Sequence, residues 1–398
     1  MPAARNHSFS TARPWAARAP RANHEPQLNS SCLATPVRIL EINSGREVNG
    51  ALVHTYLLVQ QLIALGHEVT VLCRRGFWLW DKLDGLPVER IHSLMERRVG
   101  EIRRVAAIVR QRRIDVLHTH MSRAHMFGIL LRTLTGVPCV ATAHNRHFQL
   151  HWKWNDYVIA NSDATRQFQI RVNRVPADRI RTVYCFSDLS RFQTIRPETR
   201  LATRREMGIV DDRPLLGVVG EVVKRKGHVY LFQALPQIAE AFPQFQLAIL
   251  GRSKREEPDT RRLRQLLVKY KLFRKVIWLG RRNNVPDFMA AMDVCVVPSL
   301  EEPLGLVAME AQAAGTPVVV SDAGGLVEIV DHQVNGLVVP AANSTALAEA
   351  IIQLLRDAEL RQQLTANGRR DVFSRFGPEV LTRQVVGVLQ QATRRKAA

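Results

Sequence analysis

Two carboxylates eight residues apart, Glu302 and Glu310, lie in the stretch from Pro298 to Ala311. A short apolar run ends near Ser299, Pro303 and Gly305 turn the chain, and a helix is predicted from about Leu306. Glu302 then belongs to the loop and Glu310 to the helix, about a turn in. A loop that opens a helix presents unpaired N–H groups and the positive dipole end, which suit phosphate. Carboxylates beside it can accept hydrogen bonds from the vicinal hydroxyls of a sugar or ribose. The same spacing also fits a solvated loop acid followed by a helix-surface charge. A second group is Gly217–His228, GVVGEVVKRKGH, at a strand-to-helix turn, where Lys224, Arg225 and Lys226 are either cations for a diphosphate or a solvated turn. Histidines close two further apolar runs, His120 in LHTH and His144 in ATAHN, as hydrogen-bonded structural residues or as groups at a cleft edge.

These residues need elements to hold them. From Val37, short apolar strands alternate with amphipathic helices: VRILEIN, a loop with Gly50, a helix over His54–Leu65 stopped by Gly66, then EVTVLC. A helix with apolar Leu94, Val99, Ile102, Val105 and Ile108 leads into DVLHTH, followed by AHMFGILLRTL, CVATAH and YVIANS. A polar segment around Thr194–Arg205 precedes a second series, PLLGVVGEVV, FQLAILG, KVIWLG, DVCVVPS and TPVVVSD. The expected fold is α/β, two Rossmann-like doubly wound domains facing each other across a cleft. Their expected bounds are 37–196 and 197–377. Residues 1–36, rich in Arg, Ala, Pro and Ser, are expected to be a disordered basic tail, and the helix in 378–398 to return to the first domain.

A chain of 398 residues with 46% hydrophobic and 23% charged residues is too long for a single core and too apolar for wholesale disorder. No run approaches the 18 or so apolar residues of a spanning helix. Five scattered cysteines, with no C-x-x-C pair and no histidine cluster at metal spacing, suggest neither a disulfide framework nor a metal site, and a reducing cytoplasm is expected. The net charge is +20, and the first 200 residues hold 29 basic against 15 acidic residues. No helix-turn-helix, RNP-like or zinc-finger pattern accompanies that charge, so nucleic acid is not an expected partner. A helix around Met95–Arg113 carries Arg97, Arg98, Arg103, Arg104, Arg110, Arg112 and Arg113, and the preceding loop carries Arg74-Arg75-Gly76-Phe77-Trp78-Leu79-Trp80. Arginines beside aromatics suit an anionic membrane surface on the cytoplasmic face of the inner membrane. Trp residues packed on the domain and a solvated Arg face fit equally well.

The stretch around Glu302 and Glu310 resembles the donor-binding motif of glycosyltransferase family 4, retaining enzymes of the two-domain GT-B fold. The match extends through DVCVVPS, AQAAGTPVVVSDAGGLVEIV and NGLVVPAAN, and the resemblance covers about residues 37–390. It implies that Glu302 contacts hydroxyls of the donor sugar and Glu310 the ribose. Family members commonly carry Gly-Arg-Leu, three residues, Lys-Gly at the second site. Gly220, Lys226 and Gly227 fit, Glu221 stands at the usual Arg position, and Arg225 is the expected compensating cation. Gly50 corresponds to the family's Gly-rich loop, and His144, favoured over His120, to a histidine near the donor sugar. The family's Asn-Gly-Val-Asp is here Cys185-Phe186-Ser187-Asp188, which retains Asp188 alone.

The resemblance implies catalytic roles for Glu302, His144 and Lys226. Donor binding is expected at Gly50, Gly220, Arg225, Lys226, Arg281, Leu304, Gly305, Leu306 and Glu310, and acceptor-side roles at His120 and Arg123. No cofactor and no metal are expected. The implied reaction moves a hexose-type sugar from a UDP- or GDP-linked donor to a lipopolysaccharide or lipid-linked saccharide, with retention. The alternatives are another GT-B sugar-nucleotide enzyme, an epimerase or phosphorylase, or a basic binding scaffold without activity.

Overall fold

A computed structural model describes residues 36–253 and 255–397; the expected tail otherwise lies outside the described residues. Two wholly parallel sheets form the frame. The first holds β1 (Arg38–Asn43), β2 (Glu68–Cys73), β3 (Glu89–His92), β4 (Val116–His120), β5 (Cys139–Ala143), β6 (Tyr157–Ala160) and β7 (Ile180–Thr182), in the order β3-β2-β1-β4-β5-β6-β7. The second holds β8 (Leu215–Val219), β9 (Gln246–Leu250), β10 (Val276–Gly280), β11 (Val294–Val297), β12 (Val318–Ser321) and β13 (Leu337–Val339), in the order β10-β9-β8-β11-β12-β13. Helices cover both faces of such sheets, so the central strands are buried on both sides and read as near-continuous apolar runs rather than alternating ones. Each domain has its own core, around Leu40, Leu117 and Phe127 in the first and Leu216, Leu235 and Phe245 in the second.

Strand order reverses between β1 and β4, and again between β8 and β11. Loops that leave neighbouring strands at such a switch point diverge and open a crevice beyond the strands' carboxyl ends. The Gly50 loop follows β1, His120 ends β4, the Gly220–Lys226 turn follows β8 and the Glu302 loop follows β11. Residues singled out for their chemistry thus stand at the two switch points.

Several elements differ from the sequence-based expectation. The first helix spans Gly50–Ala64, starting four residues early because the Asn49 side chain caps it by accepting from the Leu52 N–H. β3 and a short helix, Trp78–Lys82, occupy what was expected to be a loop. The arginine-rich helix spans only Val99–Gln111, so Arg97 and Arg98 precede it. The polar segment after Thr194 contains a helix, Pro197–Glu206, whose Arg200 and Arg204 bind Asp293 and backbone carbonyls of residues 290–292. Those bonds use the charges that made the segment look like a linker. The last helix, Pro378–Ala397, packs on the first helix and on β4, β5 and β6, burying Leu381, Val385 and Leu389 against the first domain.

The aromatic stretch is packed rather than presented. Trp78 meets Tyr56 edge-on with ring centres 5.7 Å apart, Arg90 lies over Trp80 at 5.0 Å, and Leu79 is buried. Among the neighbouring arginines, Arg104 and Arg110 bind backbone carbonyls and Arg112 pairs with Glu89. Trp78 and Trp80 are thus half-buried, each with one face packed on the domain. No helix among the described residues is long and apolar enough to cross a membrane.

Candidate active site

The Glu302 loop is wedged between two glycine segments. Gly227 has φ of +65°, and a Cβ there would stand 1.8 Å from the Pro298 carbonyl oxygen. Only glycine lets the 224–226 turn come so close. That approach allows Leu300 and Glu301 to donate their N–H groups to the Arg225 carbonyl, at 2.8 and 3.2 Å. On the opposite side Gly325 donates to the Glu302 carbonyl at 2.9 Å, and a Cβ on Gly324 would lie 2.1 Å from the same oxygen. The clamped loop buries Glu302 and directs its carboxylate to Lys226 Nζ at 2.5 Å, with Ser299 Oγ donating at 3.2 Å. Lys226 and Glu302, 76 positions apart, are thus an ion pair beneath the cleft.

Gly305, at φ of +115°, precedes the helix Leu306–Ala313; its carbonyl accepts from the Ala308 N–H at 2.9 Å, while the N–H groups of Leu306 and Val307, at the helix start, have no acceptor in the preceding turn of the helix. Leu304 is buried beneath it, and Leu306 reaches across to the first domain, where a Cβ on Gly50 would stand 3.1 Å from Leu306 Cδ1. Glu310, one turn in, accepts a 2.6 Å hydrogen bond from Ser187 Oγ of the first domain. Burial pushes the Glu310 carboxyl up, against the opposing pull of Ser187, Arg191 and Lys226. Asp188 accepts from Ser190 Oγ, a local bond.

Near the 224–226 turn, Gly220 and Gly251 interlock: a Cβ on Gly251 would lie 2.0 Å from the Gly220 carbonyl oxygen. This brings Arg252 beside Glu221 at 2.5 Å. Arg252, just past the adjacent strand, thus pairs with Glu221, and the side chain of Arg225, the expected compensating cation, is exposed. Arg281, just past β10, and Arg123, in the first turn of the helix Ser122–Thr135, are exposed. Two further residues carry no flag in the sequence. Arg146 projects from the loop after β5 toward the donor loop, its Nε 3.6 Å from Glu301. Glu328, in the GGLVEIV run, accepts from the N–H groups of Asp163 and Ala164, at 2.8 Å each, at the start of the first-domain helix Asp163–Arg171. Only the fold places Glu328 at that helix terminus, where a carboxylate meets both free N–H groups and the dipole.

A buried chain of polar groups backs the first-domain wall. Glu41 accepts from His118 Nδ1 and His120 Nε2, each at 2.8 Å, and His118 Nε2 pairs with Thr142 Oγ1 at 2.7 Å. His120 Nδ1 meets His144 Nε2 at 3.0 Å, and His144 Nδ1 faces Cys185 Sγ at 3.6 Å. Burial would raise the Glu41 carboxyl, but the two histidine rings outweigh it and hold it down to about 2. Burial also keeps His120 and His144 below the usual imidazole range. The acceptor-side role of His120 is corrected: the residue is fully buried and supports His144. His144 is half-buried and spends both nitrogens inside the domain, so it offers neither to a sugar in this arrangement. Although no cluster stands at metal spacing in the sequence, the fold brings ligand-type atoms of His54, His144 and Cys185 within 4.8 Å of one another.

Known proteins resemble this chain in sequence and in fold. A family model described as "Glycosyl transferases group 1" matches residues 199–371, and one described as "Glycosyltransferase Family 4" matches residues 48–191. An uncharacterised glycosyltransferase of Methanocaldococcus jannaschii is 28% identical over 378 residues, covering 87% of this chain and 95% of the relative. The D-inositol 3-phosphate glycosyltransferase of Xylanimonas cellulosilytica is 33% identical over 310 residues, covering 71% and 73%. Anabaena HepE, solved in complex with UDP-glucose, superposes with a TM-score of 0.78 at 23% identity, covering 89% of this chain and 99% of that one. The clamped donor loop, the paired switch points and these likenesses agree: the chain belongs to the group 1 glycosyltransferases of family 4 type, with a GT-B fold and nucleotide sugars as donors.

Proposed function

We propose that the protein transfers a hexose from a nucleoside-diphosphate sugar, UDP-linked in the first instance, to an acceptor carrying an anionic group, with retention of configuration. The observation that carries this reading is the convergence of the Lys226–Glu302 pair, the first turn of the helix from Leu306 and Glu310 at the β8/β11 switch point, with Ser187 of the first domain bonded to Glu310. Glu310 accepts the ribose hydroxyls, exchanging Ser187 for them. The N–H groups at Leu306 and the ammonium of Lys226 take the diphosphate, where charge grows as the bond from the sugar C1 to phosphate oxygen breaks. Glu302 orients the sugar hydroxyls. The acceptor oxygen bonds to C1 on the same face, and its proton passes to the leaving phosphate oxygen. The UDP-glucose complex of Anabaena HepE and the phosphorylated acceptor named for the Xylanimonas enzyme support these choices.

Charge on the first domain supports an anionic acceptor. Arg74 is largely buried, and burial together with repulsion from Arg46 and Arg123 lowers its pKa. An anionic group relieves that repulsion. Lipopolysaccharide cores and lipid-linked phosphosaccharides carry such groups, and exposed Arg97, Arg103 and Arg113 add a basic edge facing an anionic membrane. A thermal-shift series with UDP, GDP, ADP and their sugars tests the donor: a ligand at 100 times its Kd stabilises by about 2.7 kcal/mol. The expected result is a shift with UDP that disappears in Glu310→Ala. A shift with GDP alone would replace the nucleotide, and none with any would remove the reading. Equal transfer to phosphorylated and dephosphorylated acceptors would refute the anionic group, and NMR of the product's anomeric proton decides retention.

A further inference from the structure

We infer that His54, His144 and Cys185 form a binding site for one borderline-soft divalent cation, of which Zn2+ is the type, beneath the first-domain wall of the cleft. His54 lies in the second turn of the helix Gly50–Ala64, His144 directly follows β5, and Cys185 follows β7. His54 points to a ligand most directly. It is 3% exposed, both ring nitrogens are buried, and neither has a hydrogen-bond partner. Leaving a buried imidazole unpartnered costs the desolvation of its polar atoms. A metal ion is a partner that the lone pair of a neutral ring satisfies.

The geometry suits ligation by two imidazole nitrogens and one thiolate sulfur. With metal–nitrogen bonds of about 2.0–2.1 Å and a metal–sulfur bond of about 2.3 Å, a tetrahedral edge between nitrogen and sulfur measures about 3.6 Å. His144 Nδ1 and Cys185 Sγ stand 3.6 Å apart. The His54 ligand atom lies within 4.8 Å of both, and its ring meets that of His144 edge-on at 5.5 Å between centres. Closing it to an edge asks a shift of roughly an ångström. Behind His144, its Nε2–H donates to His120 Nδ1 and the His120 Nε2–H donates to Glu41, so His144 Nδ1 carries no hydrogen and turns its lone pair toward Cys185 Sγ. A ligating histidine backed through hydrogen bonds by a carboxylate is the usual outer shell of such a centre. By contrast Glu41, His118 and His120, also close enough to hold an ion, already satisfy one another.

Binding replaces the S–H bond of Cys185 with a metal–sulfur bond, and the proton leaves to solvent. The two histidines contribute lone pairs only. Affinity therefore rises with pH. The ion ties the first helix to the loops after β5 and β7 and pins the His144 ring.

The test uses the full chain, stripped with chelator under reducing conditions and titrated with Co2+ alone. Tetrahedral cobalt bands with a thiolate-to-cobalt charge-transfer band are expected, saturating at one equivalent and bleached by Zn2+. Both vanish in Cys185→Ser, the tetrahedral spectrum is lost in His54→Phe, and Cys73→Ser, a buried thiol elsewhere, keeps them. Glu41→Gln retains the bands with affinity weakened about 10–100-fold. A folded wild-type protein without the thiolate band overturns the inference whatever the variants do. So does a band that survives Cys185→Ser. No readout depends on sugar transfer, so the site stands or falls apart from the proposed reaction.

Discussion

At the scale of single residues, the Lys226–Glu302 pair governs the site. Their side chains are only 15% and 11% exposed, so each charge depends on the other for compensation. Lys226→Met leaves the carboxylate buried without its counter-charge and is expected to lower stability by roughly 2–4 kcal/mol. Adding Glu302→Gln removes the stranded charge and should restore most of that loss in a denaturant titration. Transfer should stay depressed about 10²–10³-fold in both variants, the usual effect of removing one donor to a developing anion. Recovery of activity along with stability would make the pair a structural bridge only. Glu221, the departure from the family pattern, is paired with Arg252. Arg252→Gln is expected to weaken nucleotide affinity, as read by titration with UDP, whereas Arg225→Gln should change it less.

At the scale of elements, loops rather than helices or strands carry the precision. The turn at 224–226 and the loop at 299–305 meet because Gly227 has no side chain. Gly227→Ala combines a left-handed conformation, which costs an L-residue about 1–2 kcal/mol, with a Cβ placed against the Pro298 carbonyl. The expected result is a loss of more than about 2 kcal/mol in thermal unfolding and loss of the nucleotide-induced shift, because Lys226 moves away from Glu302. Gly66→Ala is the control. It shares a positive φ, but nothing lies within 4 Å of its added Cβ, so it should unfold somewhat earlier and still bind nucleotide. Equal effects on binding would show that close approach at Gly227 does not matter.

At the scale of the whole molecule, polar contacts join the two domains beside the apolar packing of the last helix. Glu328 of the second domain caps the first-domain helix from Asp163, and Ser162 Oγ donates to the Pro303 carbonyl at 2.5 Å. Glu328→Ala should cost about 1–2 kcal/mol as a lost cap. It should also enlarge the radius of gyration in solution scattering and raise the donor KM more than it lowers kcat. Unchanged scattering would assign Glu328 to local helix stability alone. Global stability should also fall in mild acid. Burial holds His54 down to about 3, and burial with the nearby Lys226 holds His228 down to about 4. The unfolded chain therefore binds more protons than the folded one below about pH 6.5, and stability drops as pH falls through that range. Glu41, held down to about 2, extends the loss below about pH 4.5, while Glu310, pushed up by burial, opposes it. In chelator, Tm should decline from pH 7 to pH 5, less steeply in His54→Leu; a level wild-type profile would show that the imidazoles become protonated without cost.

The alternation of apolar runs with amphipathic helices carried the two α/β domains in the sequence itself, because strands buried on both faces must be apolar throughout and their crossovers must be two-faced. The Glu302–Glu310 spacing was legible for a similar reason: loop and helix are local, and a loop acid followed by a helix acid is written in consecutive residues. Local pattern could not identify partners. Thr194–Arg205 reads as polar linker until Asp293, some 90 residues on, turns its arginines into anchors. Trp78 and Trp80 read equally as surface or as packed until Tyr56 and Arg90 are found against them. Lys226 meets Glu302 across 76 positions, Ser187 meets Glu310 across 123, and the cluster of His54, His144 and Cys185 joins three segments that share no motif. Composition and periodicity determine which surfaces must be buried, since that depends on each residue's own transfer energy. Pairing between charges and lone pairs depends on distance, and only the tertiary fold decides it.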